Sequence, residues 1–184
     1  GLGGLLGGAV ASRLLWEGRR AASSRERLEP LLAADDSELA RHCGAWLEAG
    51  AEHMRAAIRL AAPGTEPLTT CALALSAPRA VVVAHIGDSR LYRLNTTGVL
   101  WRTRDHSVVQ MLVDEGEIVE SAMGTHPDQG KLFRAIGMNG EVKPTVRRDA
   151  ALSDGEALLA CSDGFWERVQ PEELAALVRG EYTV

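Results

Sequence analysis

Residues 80–103 read AVVVAHIGDSRLYRLNTTGVLWRT, and the punctuation of this stretch decides the fold. The runs Ala80 to Ile86, Arg90 to Leu94 and Val99 to Thr103 are too short for helices. Gly87-Asp88-Ser89 and Asn95-Thr96-Thr97-Gly98 separate them, so they read as strands joined by turns. A further run, Thr69 to Leu75, precedes them across Ser76-Ala77-Pro78-Arg79 and predicts a hairpin with Ala80 to Ile86. Arg90 to Leu94 and Val99 to Thr103 make a second pair. Four antiparallel strands in a row cannot bury a face alone, so helices elsewhere in the chain must cover it.

The flanking sequence supplies those helices. From Ser37 to Ala62, Leu39, Cys43, Trp46, Leu47, Gly50, Met54, Ala57, Ile58 and Ala61 recur at three- and four-residue steps, which predicts a long amphipathic helix ending at Pro63-Gly64. Ser107 to Glu115 predicts a second helix, with Val108, Met111 and Leu112 inward and Gly116 as its stop. Glu120 to Gly130 is polar and reads as a mobile surface loop, and Lys131 to Ile136 as a short helix or turn. Val142 to Arg148 and Glu156 to Cys161 predict further strands, and Pro171 to Val178 a helix with proline in its permitted first turn. The opening Gly1 to Gly8 holds too many glycines for a helix and reads as a tight turn leading into a helix near Ala9. A natural chain seldom starts inside such a turn, so a segment upstream of Gly1 is expected.

Composition bounds the function. With 184 residues and an apolar fraction of 46%, the chain can build one core and reads as a single domain. The net charge of -5, without a long basic block, argues against nucleic acid as a partner. Cys43, Cys71 and Cys161 lie in apolar segments without paired spacing and read as buried thiols of a reducing compartment. No segment approaches a membrane span, so a cytoplasmic protein without a membrane partner is expected. The five histidines form no zinc signature, and the early glycines form no nucleotide-binding loop.

Three short acidic segments carry the chemistry, each with an ordinary reading beside the functional one. Asp88-Ser89-Arg90 places an acid, a hydroxyl and a cation between two strands. Asp88 and Ser89 can equally satisfy their own turn and Arg90 be a surface charge. Asp105-His106 stands between a strand and a helix, where Asp105 can be a helix cap. Asp163-Gly164 ends Ala157-Leu158-Leu159-Ala160-Cys161-Ser162, the run that reads as the most buried strand. A carboxylate at such an exit suits an oxygen-ligand metal site, or a turn before glycine.

Taken in order, GLGGLLGGAVAS from Gly1, LTT at Leu68, HIGDSRLYRL at His85, TRDHSVVQMLVDEGEI at Thr103, HPDQGKLFRAIG at His126 and LLACSDGFWERV at Leu158 resemble the metal-dependent serine/threonine phosphatases of the PP2C or PPM family, in their compact bacterial form. The resemblance implies an α+β fold, an α-β-β-α sandwich of two antiparallel sheets flanked by helices. It implies two core Mn²⁺ or Mg²⁺ ions, with a weaker third, that activate a water to hydrolyse phosphoserine or phosphothreonine in a protein. Carried over by position, Asp163 is a ligand of the core pair and Gly1 supplies a carbonyl to it. Asp105 belongs to the third ion, and Glu167 stands where an aspartate is usual at that outer site. Asp88, Ser89 and Arg90 support the site, and Glu120 to Gly130 is a flap over it.

The resemblance also marks departures. Residues 1–184 form one such domain that is incomplete at both ends, missing N-terminal strands with an aspartate before Gly1 and a C-terminal metal-ligand segment after Val184. Leu5 occupies the place of a family histidine, and loss of a general acid costs ~10²- to 10⁴-fold. Little activity is therefore expected of the 184 residues alone. The alternative reading is a catalytically impaired domain that binds phosphoproteins or regulates. The expected partner is a phosphorylated protein, a serine/threonine kinase or its target, and the CSDGFWE wording resembles phosphatases attached to type VI secretion systems.

Overall fold

The computed structural model describes residues 34–61 and 67–181. The expected glycine turn at Gly1 to Gly8, the helix near Ala9, Gly1 and Leu5 lie outside them. Helix α1 (Asp36–Ala61) is followed by strands β1 (Cys71–Ala77), β2 (Ala80–Ile86), β3 (Arg90–Asn95) and β4 (Gly98–Arg102). Helix α2 (Val108–Asp114) and a 3₁₀ helix (Glu120–Thr125) come next. The chain closes with β5 (Thr145–Ala150), β6 (Glu156–Cys161), the single turn α3 (Asp163–Trp166) and α4 (Pro171–Arg179).

The strands form two antiparallel sheets, β1-β2-β5 and β4-β3-β6. This corrects the expectation of four strands in a row. Each predicted hairpin lies in its own sheet, and the Gly87-Asp88-Ser89 turn carries the chain from one to the other. Register follows the two-residue period: Leu73 faces Ala84 on β2, while Leu91 faces Ala160 on β6.

Alternation distributes three apolar layers. Val81 and Val83 of β2 meet Leu91 of β3 between the sheets, with Trp101 and Leu158. The other face of the first sheet packs on α1, where Leu47, Ala51, Met54 and Ile58 close against Ile86, Ile136 and Val142. The outer face of the second sheet, through Tyr92 and Leu94, packs on Val109 of α2, Met123, Trp166 and Leu174 of α4. Leu47 and Met54 are fully buried. Each such side chain contributes about 1.5–3 kcal/mol of transfer free energy. The result is an α+β sandwich of two small antiparallel sheets flanked by helices.

Boundaries follow local chemistry. Asp35 Oδ1 accepts from the Glu38 N–H (2.8 Å), so the cap of α1 lies just before the predicted Ser37 start. Helix α4 begins with Pro171, and the Gln170 N–H donates to Glu173 Oε2 (2.8 Å) in a capping box.

Other expectations need correction. On α2 the buried residues are Val109 and Gln110, while Met111 is exposed. Seven residues leave too narrow an apolar stripe to choose the face, and the polar clasp of Gln110 decides it. Glu120 to Gly130 contains the 3₁₀ helix, anchored by buried Met123, where a surface loop was expected. Lys131 to Ile136 forms no helix: Leu132 bridges to Ser107 and Ile136 to Thr69. The strand expected at Val142 to Arg148 is β5, three residues further on, because Val142 is taken up by the core against α1. The most buried strand is β2, all seven residues of which are buried, whereas β6 is half-exposed. The cause is position: β2 is the middle strand of its sheet under α1, and β6 pairs among the described strands with β3 alone.

Cys43, Cys71 and Cys161 are free and half-buried, with burial pushing the Cys71 thiol up to about 12 and that of Cys161 to about 11. No described helix is long and apolar enough to cross a membrane.

Candidate metal centre

The turn between β2 and β3 is built to be rigid. Gly87 adopts φ +98°, and a Cβ there would lie 2.3 Å from Thr70 Cγ2. His106 holds this glycine twice: the Gly87 N–H donates to His106 Nδ1 (3.0 Å), and the Gly87 carbonyl accepts from the His106 N–H (2.9 Å). With Nδ1 accepting, His106 is a neutral ring with its proton on Nε2, which donates to Thr145 Oγ1 of β5 (2.9 Å). Burial, reinforced by His85 and Arg134, pushes the His106 pKa down to about 3. His85 stacks on it at 4.7 Å and donates from Nε2 to the Arg104 carbonyl (2.8 Å). Ser89 Oγ shares a hydrogen bond with Thr70 Oγ1 (2.6 Å). Gly87→Ala is expected to cost about 1–3 kcal/mol in strain and steric overlap, seen as a lowered thermal midpoint. An unchanged midpoint would show that the turn is not under this constraint.

Arg90 leaves this turn at the start of β3 and enters the interior. Its Nε donates to both oxygens of Asp105 (2.9 and 3.1 Å), and a terminal nitrogen donates to Asp105 Oδ2 (2.7 Å). The other terminal nitrogen donates to Tyr92 Oη (3.0 Å), and the guanidinium lies 3.6 Å over the Trp166 ring. Trp166 Nε1 in turn donates to the Asp88 carbonyl (2.9 Å). The turn, the Asp105 segment and α3 are therefore one cross-linked unit. The surface-charge reading of Arg90 does not hold, because its side chain is 4% exposed. Nor does Asp105 cap α2: Ser107 does so, its Oγ accepting from the Gln110 N–H (3.3 Å).

Asp163 starts α3 directly after β6 and is half-buried. Its Oδ1 accepts from the Gly164 N–H (2.8 Å), as a turn aspartate does. Among the described residues no hydrogen bond engages its Oδ2, which leaves that oxygen available as an acceptor. Asp88 responds to this charge. Burial first, then repulsion from Asp163 and Asp105, raises the Asp88 carboxyl to about 6. Glu167 is also raised, by burial and then by Asp163. In the orientation its neighbours require, the Gln129 side-chain amide donates to Glu167 Oε1 (2.5 Å) and to the Gly124 carbonyl (3.1 Å), tying the 3₁₀ segment to α3.

Asp88 therefore lies within electrostatic reach of Asp163 and Asp105, and Glu167 of Asp163. Among the described residues no group of three or more histidine, cysteine, aspartate or glutamate side chains is arranged to hold a metal ion. Two parts of the site were not legible in the sequence: Trp166 as the link between α3 and Arg90, and Asp88 as a carboxyl with a displaced pKa. A tryptophan three residues after Asp163 was the available signal for the first. The second depends on burial and had none.

No protein-family model matches the chain. It is 30% identical over 188 residues to the serine/threonine phosphatase stp of Listeria innocua, covering 100% of this chain and 71% of that protein. The catalytic domain of the serine/threonine phosphatase PstP, solved in complex with two manganese ions, superposes with a TM-score of 0.70 at 29% identity, over 94% of this chain and 68% of that one. PppA of Pseudomonas aeruginosa, described as a regulatory component of a type VI secretion system, shares the fold at a TM-score of 0.73 and 23% identity, over 100% of this chain and 71% of that one.

Proposed function

Because this chain belongs to the PP2C-type bacterial serine/threonine phosphatases, we propose that the full-length protein hydrolyses phosphoserine and phosphothreonine in protein substrates, with a metal-activated water as the attacking group. The observation that carries this reading is the match along the whole chain to a serine/threonine phosphatase. Beside it, burial first and then Asp163 and Asp105 raise the Asp88 carboxyl, and a divalent cation would relieve that charge. One described residue of the core position suits such an ion. Asp163 offers a hard oxygen at a strand exit, where carboxylates suit Mn²⁺ and Mg²⁺. The Gly1 carbonyl, which the resemblance assigns to the same pair of ions, lies outside the described residues. When bound, a pair of ions supplies a lowered water pKa and neutralises phosphoryl oxygens.

The chain's own residues do the positioning. The Gly87 turn, clamped by His106 and Ser89, sets the backbone of Asp88 against Trp166. Trp166 fixes the first turn of α3, and with it Asp163. The 3₁₀ segment, anchored by Met123 and by Gln129 on Glu167, forms one wall of the approach to the site. Glu167 and Asp105 are the residues that the resemblance proposes for a weaker outer ion, and Gln129 and Arg90 respectively engage them.

The partner proposed is a phosphorylated protein of a kinase pathway. The likeness to PppA is one of fold and supports no assignment to type VI secretion. In the test, full-length protein is assayed with p-nitrophenyl phosphate and a phosphothreonine peptide. Turnover is expected with Mn²⁺ or Mg²⁺ and not in chelator. Folded protein without metal-stimulated turnover would favour a phosphoprotein-binding module instead.

A further inference from the structure

We propose that the guanidinium of Arg90 is the resident cation at Asp105, so that the outer metal position is closed on this carboxylate. This rests on the phosphatase reading above and concerns a different part of the same site. Both oxygens of Asp105 are engaged by this one cation: Oδ1 accepts from Arg90 Nε (2.9 Å), and Oδ2 accepts from Nε (3.1 Å) and a terminal nitrogen (2.7 Å). Its side chain is 0% exposed, and Arg102 adds a second positive charge at 3.7 Å. A Mn²⁺ or Mg²⁺ ion keeps several waters and demands near-octahedral oxygen geometry. A carboxylate with no exposed surface cannot supply that without releasing the arginine.

Release is opposed from every side. Arg90 is packed on the Trp166 ring (3.6 Å), bonded to Tyr92 Oη (3.0 Å) and in contact with Met123 Sδ (3.5 Å). Freeing Asp105 would leave a buried guanidinium without its counter-charge. Glu167, the other acid of that position, is engaged instead by the Gln129 amide. The arginine therefore does by fixed charge what an exchangeable outer ion would do. It neutralises Asp105 and locks together the Gly87–Arg90 turn, α3 and the 3₁₀ segment. Unlike an ion, it does not leave when metal is scarce, so the order of this end of the site is independent of metal concentration.

The test counts Mn²⁺ bound to the full-length protein by calorimetry and by elemental analysis after dialysis. Wild type, Glu167→Gln and Asp105→Asn are expected to bind the same number of ions. Arg90→Ala, where folded, is expected to gain one that Arg90→Ala/Asp105→Asn does not bind. Loss of an ion in Glu167→Gln or Asp105→Asn, with Arg90 in place, would overturn the proposal, as would a folded Arg90→Ala that gains none. Asp105→Asn removes the charge of the closed carboxylate itself, so an unchanged ion count there, with Glu167→Gln beside it, decides the matter even if Arg90→Ala does not fold. Asp163→Asn reports on the core pair alone, which separates a failure of the phosphatase reading from a failure of this one.

Discussion

Arg90→Ala is expected to lower the unfolding free energy by about 3–5 kcal/mol, the cost of leaving one member of a buried ion pair uncompensated. The magnitude follows from burial: the Arg90 and Asp105 side chains are 4% and 0% exposed, so water cannot take over the role of the lost guanidinium. The tryptophan face and the tyrosine hydroxyl lose their partner in the same step. Arg41→Ala serves as the contrast, because its pair with Glu38 lies in solvent on α1 and such pairs contribute about 0–1 kcal/mol. Arg90→Lys keeps the charge but not the planar fork, and falls between the two. Urea denaturation checks the series through the midpoint at constant slope. A midpoint for Arg90→Ala no lower than that of Arg41→Ala would show that the pair does not hold the fold. Against a typical domain stability of about 5–15 kcal/mol, the expected loss is a large share.

Asp163→Asn in the full-length protein is expected to reduce metal-dependent turnover by ~10²- to 10⁴-fold, since losing a ligand charge forfeits several kcal/mol of transition-state stabilisation. Stability should barely change. Asp163 is half-buried, and the asparagine oxygen can still accept from the Gly164 N–H that Asp163 engages at 2.8 Å. The two variants therefore separate the roles of the two residues: Arg90 acts on folding and Asp163 on chemistry. The measurement is turnover of p-nitrophenyl phosphate across a Mn²⁺ titration, with circular dichroism as the folding control. Wild-type turnover in Asp163→Asn would remove this residue from the list of ligands.

The contrast between these residues mirrors what could be read without coordinates. Asp163 stood out in the sequence because a strand-like run followed by Asp-Gly is a local pattern, and β6 with α3 follows that pattern. Asp105 stood out because it lies between a strand end and a helix, but its partner lies fifteen residues away across the sheet turn. No local pattern shows whether a carboxylate points at solvent, a helix end or a buried guanidinium.

By itself the sequence determined the order of most strands and helices, through apolar periods and the turn residues that interrupt them, and six ordered motifs pointed to the family. It missed the 3₁₀ helix and set β5 three residues early. Glu156–Cys161 and Ala80–Ile86 match to the residue, because turn chemistry at both ends leaves them no alternative register. Only the tertiary structure decided that the two hairpins belong to different sheets, that β2 rather than β6 is the buried strand, and that Arg90 is an interior cation. The physical reason is common to all three. Burial and charge pairing are properties of what packs against a residue, and the packing partners here come from segments far apart in the chain.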